Sequence, residues 1–209
     1  MSGYVSDAVI RRMPAYYRHL RELEREGVQQ ISSQELGQRM KLTASQIRQD
    51  INSFGGAGRQ GYGYQVSELK EHLRKIMGLS REHRMVIIGA GRMGRAIANY
   101  ASFSREGFLT VGLFDLDPEK IRSAAGLLPV YAMEDLEAEV PRLGPDIGVL
   151  ALPAEAAQDA LDRLYGLGIR AAWNFAPVDL HYPEDMIVVN VHLSDSLHIL
   201  SYRMNHRAE

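Results

Sequence analysis

The sequence contains no cysteine, which excludes disulfides, thiolate catalysis, Cys-ligated zinc and thiol-based redox sensing. It also has no apolar run approaching the roughly 18 residues that a membrane-spanning helix needs. Residues 1–13 carry charges and lack the apolar core of a signal peptide, so the expected location is the cytoplasm. Internal repeats and low-complexity tracts are missing too. The seven histidines show no H-E-x-x-H or other metal-ligand spacing, so no metal is expected. What is there is ordinary: 209 residues, 45% hydrophobic and 24% charged, enough to bury one large core or two small ones.

The net charge of -2 is unevenly divided. Residues 1–78 hold 12 Lys+Arg against 8 Asp+Glu, a net of +4; residues 79–209 hold 12 against 18, a net of -6. A basic first part joined to an acidic second part fits a polyanion-binding segment followed by a separate domain.

The first part reads as helices. Val9, Met13, Tyr16, Leu20 and Leu23 follow helical spacing, with Pro14 expected in the first turn of the main helix and Val9–Met13 as a separate turn before it. Gly27 ends this element. Ser32-Ser33-Gln34-Glu35 is a capping box, opening a short helix to about Met40. After a tight connection at Lys41-Leu42, Thr43-Ala44-Ser45-Gln46 is a second capping box, starting a helix to about Phe54. Two capped helices this close, after a longer one, form a helix-turn-helix. Residues 55–64, rich in glycine and tyrosine, are the expected hairpin of a wing, and Val66–Met77 a closing helix.

On the second capped helix, Ile47 and Ile51 face the core. Ser45, Gln46, Arg48 and Gln49 are left for a DNA groove or its phosphates, where Arg suits guanine and Gln suits adenine. Arg59 in the wing is placed to enter a minor groove or hold a phosphate. Lys41, Arg11, Arg12 and the pair Tyr16-Tyr17 are candidate backbone contacts. The competing reading is a wing that binds protein.

From Met85 the pattern changes, and Gly78–Arg84 is a candidate linker. Met85–Ile88 is a short apolar run ending at Gly89-Ala90-Gly91-Arg92-Met93-Gly94, after which Met93–Tyr100 looks helical. Leu109–Phe114 is the next strand and closes at Asp115, 21 residues after Gly94. This strand–glycine turn–helix context makes G-x-G-x-x-G a dinucleotide fingerprint. Asp115 is the expected acceptor for the adenosine ribose hydroxyls, and its charge favours NAD over NADP. Later apolar runs at Ile147–Leu152, Ala171–Phe175 and Met186–Val191 alternate with helical segments such as Ala154–Leu164. The expected fold is therefore α/β, a winged helix-turn-helix followed by a Rossmann-type doubly wound parallel sheet. A last amphipathic helix, about Ser194–His206, carries Leu193, Leu197, Leu200 and Met204 on one stripe. That stripe is either intramolecular core or a dimer interface, and a dimer suits a two-fold operator.

In order and spelling these segments resemble the Rex family of NAD(H)-responsive bacterial repressors over nearly the whole chain. The resemblance is carried by residues 9–18 (VIRRMPAYYR), Ser45–Asp50, Gly61–Tyr64, the Gly89–Gly94 turn continuing to Ala98-Asn99-Tyr100, residues 114–120 (FDLDPEK) and Asn174-Phe175-Ala176-Pro177. It implies a homodimer whose terminal helix is exchanged between subunits, with NADH releasing a palindromic operator and NAD+ permitting binding. It adds Tyr100, Asn174 and Phe175 to the cofactor residues, and it implies a switch formed by Tyr100, Asp195 and Arg18. The implied division is residues 1–78 for DNA, 79–192 for NAD(H) and 193–209 for dimerisation. Gln49 and Gln60 stand where many relatives carry Lys or Arg, and Ala57 where a wing aromatic is frequent. Fewer cations weaken phosphate attraction.

Two other classes compete. An NAD-dependent oxidoreductase would need an acid/base group, for which His192 and His198 are the candidates; they lie six apart and off a common helical face. A DNA-binding paralogue indifferent to NADH is the third.

Overall fold

Val9, Met13, Tyr16, Leu20 and Leu23 are all buried along one side of a single helix, α1 (Asp7–Arg25). The expected break at Pro14 does not occur. Its ring removes one backbone N–H, but buried residues on both sides of it, Met13 before and Tyr16 after, hold the helix through an exposed proline. The computed structural model describes residues 5–56, 63–122 and 128–206. Contacts divide the chain into two units, Met1–Arg81 and Glu82–Glu209.

The first unit continues with β1 (Gln30–Ile31), α2 (Ser33–Met40), α3 (Ala44–Ser53), β2 (Tyr64–Gln65) and α4 (Val66–Ile76). Ser32 and Glu35 form the complete capping box: the Ser32 hydroxyl accepts from the Glu35 N–H at 3.1 Å and the Glu35 carboxylate accepts from the Ser32 N–H at 2.9 Å. At α3 only half of the expected box forms. Thr43 Oγ1 accepts from the Gln46 N–H at 3.1 Å, while the Gln46 side chain turns to Asp50 instead. The α2–α3 turn depends on Gly37, where a Cβ would lie 2.6 Å from the Leu42 carbonyl oxygen, and on Lys41 in the left-handed region at φ 56°. Of the expected wing, residues 57–62, with Arg59, Ala57 and Gln60, lie outside the described residues. The pairing seen is β2 antiparallel to β1.

The second unit is β3 (His83–Ile88), α5 (Arg92–Ala98), α6 (Ala101–Arg105), β4 (Phe108–Asp115), α7 (Pro118–Arg122), β5 (Val130–Ala132), α8 (Leu136–Leu143), β6 (Ile147–Leu150), α9 (Ala154–Gly166), β7 (Ala171–Asn174), β8 (Ile187–Asn190) and α10 (Leu193–Asn205). The six strands are parallel in the order β5-β4-β3-β6-β7-β8. The order turns about at β3/β6, which is the topological switch point of a Rossmann sheet. Alternation along β3 makes two cores. Val86 and Ile88 pack with Leu136, Leu161 and Leu164 on one face, and Met85 and Ile87 with Ile97 and Val149 on the other.

Two expectations shift here. β3 starts at His83, which pairs with Phe108 and stacks on its ring at 5.4 Å, so the linker ends earlier than Arg84. The helix after the glycine turn stops at Ala98, and Tyr100 becomes the N-cap of α6. On α10 no residue is buried, so within the chain its stripe is not core.

Candidate functional site

The carboxyl ends of the strands hold the candidate nucleotide site. Gly89 has φ +103°, and a Cβ there would strike the Ala151 carbonyl. A Cβ on Gly94 would collide with the Gly89 carbonyl, so this glycine lets α5 sit on β3. Gly91 differs: its φ is -74° and nothing lies within 4 Å of the Cβ position. The fold does not need this glycine, and a bare backbone there leaves room for a group outside the chain. No side chain caps α5 at this end. Arg92 and Met93 are exposed beside it.

Asp115 is buried at the end of β4 and accepts from the Ala90 N–H at 2.7 Å, the Asp117 N–H at 2.9 Å and the Lys120 ammonium at 3.3 Å. Burial works against its charge, but those two backbone N–H groups and Lys120 outweigh it and hold the carboxyl below its usual range. The anion is thus tied to the glycine turn. Lys120 reaches both oxygens at 3.3 Å, so about four acceptor positions are engaged and a ribose hydroxyl would take the place of this long ammonium contact.

Of the three remaining cofactor candidates, Asn174 and Phe175 follow from the carboxyl end of β7, and Tyr100 lies elsewhere. Asn174 is fully buried, and its amide is spent inside the chain: Nδ2 donates to Val178 O and Asn190 Oδ1, both at 3.0 Å, and Oδ1 accepts from the Ala176 N–H at 2.9 Å. These bonds brace the end of β7. Phe175 is half-buried and meets Trp173 edge to face at 4.5 Å. Tyr100 is 56% exposed and lies beyond the far end of α5. A seven-residue helix separates it from the glycine turn, about 10 Å of rise. It edges a cavity of about 380 Å³ lined also by Ile97, Phe103, Phe108 and Leu128. That cavity opens at the amino end of β4, whereas Asp115 ends the strand.

In the first unit the candidates separate into outward and inward groups. Ser45, Arg48, Gln49 and Lys41 are exposed; Arg48 donates to Ser33 Oγ at 3.0 Å. Arg11 is exposed and pairs with Asp7 at 2.7 Å. Tyr17 is half-buried, with the Arg21 guanidinium 5.7 Å from its ring centroid. Tyr16 and Arg12 are corrections to the phosphate-contact reading. Tyr16 is fully buried and its hydroxyl donates to Asp50 Oδ2 at 2.9 Å. Arg12 donates to both Asp50 oxygens, Nε at 2.7 Å and Nη2 at 2.8 Å. Gln46 Nε2 donates to the same carboxylate at 2.8 Å. Asp50, 1% exposed, therefore receives four bonds. Burial opposes its ionisation, yet Arg12, Gln46 and Tyr16 together keep its carboxyl below the usual range. Sequence reasoning gave Asp50 no role of its own. The available signal was an acidic residue flanking Ile47 and Ile51 on a helix meant for a polyanion.

Of the switch candidates, Arg18 is exposed on α1 and Asp195 is exposed in the first turn of α10. His192 caps α10 and lies 3.6 Å from Asp179, and His198 is exposed. Among the described residues no three His, Cys, Asp or Glu are grouped to hold a metal, and no helix is long and apolar enough to cross a membrane.

A helix-turn-helix unit followed by a parallel Rossmann-like sheet defines an α/β protein with an N-terminal DNA-binding domain. Comparison with known proteins agrees part by part. Residues 4–52 match the family model "Putative DNA-binding protein N-terminus", and residues 80–178 match "CoA binding domain". The redox-sensing transcriptional repressor Rex of Thermoanaerobacter sp. (strain X514) is 51% identical over 201 residues, 96% of this chain and 90% of that one. The Rex protein of Caldicellulosiruptor saccharolyticus is 45% identical over 203 residues, 97% and 93% of the two chains. The Rex-family repressor RSP with β-NAD+ and operator DNA superposes with a TM-score of 0.92 at 50% identity, covering 98% of this chain and 94% of that one. RSP with β-NADH gives 0.90 at 49%, covering 97% and 95%. The chain belongs to the Rex family of redox-sensing transcriptional repressors.

Proposed function

We propose that the chain is a homodimeric repressor that binds a palindromic operator and releases it when NADH replaces NAD+. The observation that carries this reading is the pairing of two features in one chain: an α3 helix with polar residues exposed, and a glycine turn whose Gly91 faces open space. Relatives about half identical support it, being named redox-sensing repressors and crystallised with NAD+ plus operator DNA and with NADH.

Gly89, Gly91 and Gly94 hold the pyrophosphate of NAD(H), Ala90, Arg92 and Met93 line the turn, and Asp115 takes the ribose hydroxyls. When bound, the dinucleotide supplies a nicotinamide ring that is cationic if oxidised and neutral if reduced. The glycine turn and Asp115 treat both forms alike, so discrimination falls to apolar surroundings that penalise an unpaired cation. Tyr100 edges that surface and pairs with Asp195 of a second subunit in the NADH state, breaking an Arg18–Asp195 contact. Typical coupling of this kind is roughly 1–3 kcal/mol. Dimerisation is assigned to α10, whose Leu193, Leu197, Ile199, Leu200 and Met204 are all more than half exposed in the single chain. Exchange of α10 between subunits covers them. Arg48, Gln49, Ser45 and Gln46 are assigned to the groove, and Lys41, Arg11, Tyr17 and Arg59 to the phosphates. Catalysis is not part of the reading, and the location is the cytoplasm.

The test is an operator titration at fixed salt with NAD+ or NADH added. Release by micromolar NADH and not by NAD+ is expected. Binding indifferent to both removes the sensor, and turnover of small alcohols or 2-hydroxy acids would restore the enzyme. Asp195→Ala should abolish NADH-driven release; unchanged release refutes the switch.

A further inference from the structure

Gln46 is half-buried, and among the described residues its side chain makes one hydrogen bond, from Nε2 to Asp50 Oδ1 at 2.8 Å. Asp50 is buried, ionised and saturated: Oδ1 also accepts from Arg12 Nη2, and Oδ2 from Arg12 Nε and the Tyr16 hydroxyl. A carboxylate only accepts, so the amide atom facing Asp50 must be the nitrogen. That leaves Oε1 as the amide's acceptor, beside the second Nε2 hydrogen, for a group outside the described residues. Ser45 and Gln49 flank Gln46 on the exposed side of α3, and Ile47 is fully buried on the other.

We propose that Asp50 fixes the amide of Gln46 so that its carbonyl oxygen is the group offered to DNA, which makes Gln46 a reader of a base amino group and Asp50 and Arg12 its positioning residues. A free glutamine offers donor or acceptor by rotating its amide half a turn. Here the wrong rotamer would set two acceptors, Oε1 and the Asp50 carboxylate, against each other in a buried spot. Arg12 therefore acts by holding Asp50 rather than by gripping a phosphate. The ligand feature is chemical: in the major groove each base pair carries one exocyclic amino donor, adenine N6 or cytosine N4.

This inference rests on the DNA-binding reading, and the experiment separates the two. The full-length protein first selects duplexes from a random pool, then binds variants in which each adenine is replaced by purine and each cytosine by 2-pyrimidinone, removing one amino group at a time. At one base pair per half-site, loss of the amino group should weaken the wild type about tenfold and Gln46→Met less than about twofold. In Asp50→Asn the tenfold penalty should fall below about threefold, because the amide is free to turn over. If Asp50→Asn does not fold by circular dichroism, Gln46→Glu takes its place. The carboxylate that Gln46→Glu introduces has no N–H for Asp50, so this variant should also lose the penalty. A Gln46→Glu protein that keeps the penalty shows that any outward acceptor suffices, and so overturns the positioning role of Asp50. Full penalty in Asp50→Asn, or no amino group whose loss distinguishes wild type from Gln46→Met, overturns the inference. Failure to select any duplex overturns the DNA-binding reading beneath it.

Discussion

Helices α9 and α10 are each 13 residues long and each carries a leucine-rich side, yet they meet opposite fates. α9 buries Ala157, Ala160, Leu161 and Leu164 against the sheet, whereas α10 buries nothing, with Leu197 63% exposed. β8 repeats the contrast at the sheet edge, since Ile187 and Val189 are exposed while Met85 to Ile88 of β3 are sealed. Apolar spacing states that a face must be covered; it does not state by what. For α9 the cover is the chain's own sheet. α10 has none of its own, which is why dimerisation is assigned to it.

The largest effect that would break this contrast comes from charging α10. Leu197→Asp with Leu200→Asp should leave the rest of the fold intact by circular dichroism but give a monomer in sedimentation. Loss of the second half-site contact should weaken operator binding about a hundredfold or more. A double variant that remains dimeric removes α10 from the interface. Truncation on α9 acts within one chain: Leu161→Ala empties a site 1% exposed and should cost about 3 kcal/mol in urea unfolding. Leu197→Ala, placed in the monomeric background, should cost less than about 0.5 kcal/mol, since an exposed side chain has little to lose. Equal costs would mean that the two helices are packed alike.

The same distinction governs how far the sequence could be read. The α1 stripe, both helix starts and the glycine turn depend on spacings of a few residues, and the end of β4 at Asp115 on a short apolar run; all were legible. Pro14 was misjudged because the burial that holds α1 through it comes from packing that a local rule does not include. β5 was missed because a three-residue strand is defined by its ladder to Leu113–Asp115 and not by its own composition. The donors of Asp50 come from 38, 34 and 4 residues away, so only coordinates reveal that Arg12, Tyr16 and Gln46 converge. Asn174 came from the family resemblance alone; the bonds of its amide to Val178, Asn190 and Ala176 follow from how the chain turns after β7, which no local spacing states.

Within the glycine turn, two residues of one motif divide along the line that separates α9 from α10. Gly94 is required by the chain itself, whereas nothing within the described residues crowds a side chain at Gly91. Gly94→Ala forces the new methyl into the Gly89 carbonyl, so unit Glu82–Glu209 should be destabilised by about 2 kcal/mol or more in thermal or urea unfolding. Gly91→Ala meets no atom and no strained φ, so its stability should stay within about 0.5 kcal/mol. NADH affinity, read by quenching of the single tryptophan Trp173, should nevertheless fall about tenfold or more because the methyl occupies the approach to the pyrophosphate. Full NADH affinity in a stable Gly91→Ala protein would sink the assignment of the turn.

The smallest effect concerns acid and compares the two units through their buried carboxylates. Asp50 and Asp115 are both held below the ordinary aspartate value of 3.8, Asp50 by Arg12, Gln46 and Tyr16 against burial, and Asp115 by two backbone N–H groups and Lys120 against burial. A carboxyl whose folded pKa is depressed contributes stability above its unfolded pKa and loses it as pH falls through the folded value. Nothing should therefore change between about pH 7 and 5 on account of these groups, and the share of stability that each aspartate contributes should be lost only as pH drops below about 3.8. Asp50→Asn removes the proton uptake from Met1–Arg81 alone, so its acid-induced loss should become shallower while that of Glu82–Glu209 stays as it was. Melting curves followed from about pH 5 to 3 check this. An unchanged slope in Asp50→Asn would mean that the carboxylate joining α1 to α3 is not what acid breaks, and that the donors around it hold the helices without its charge.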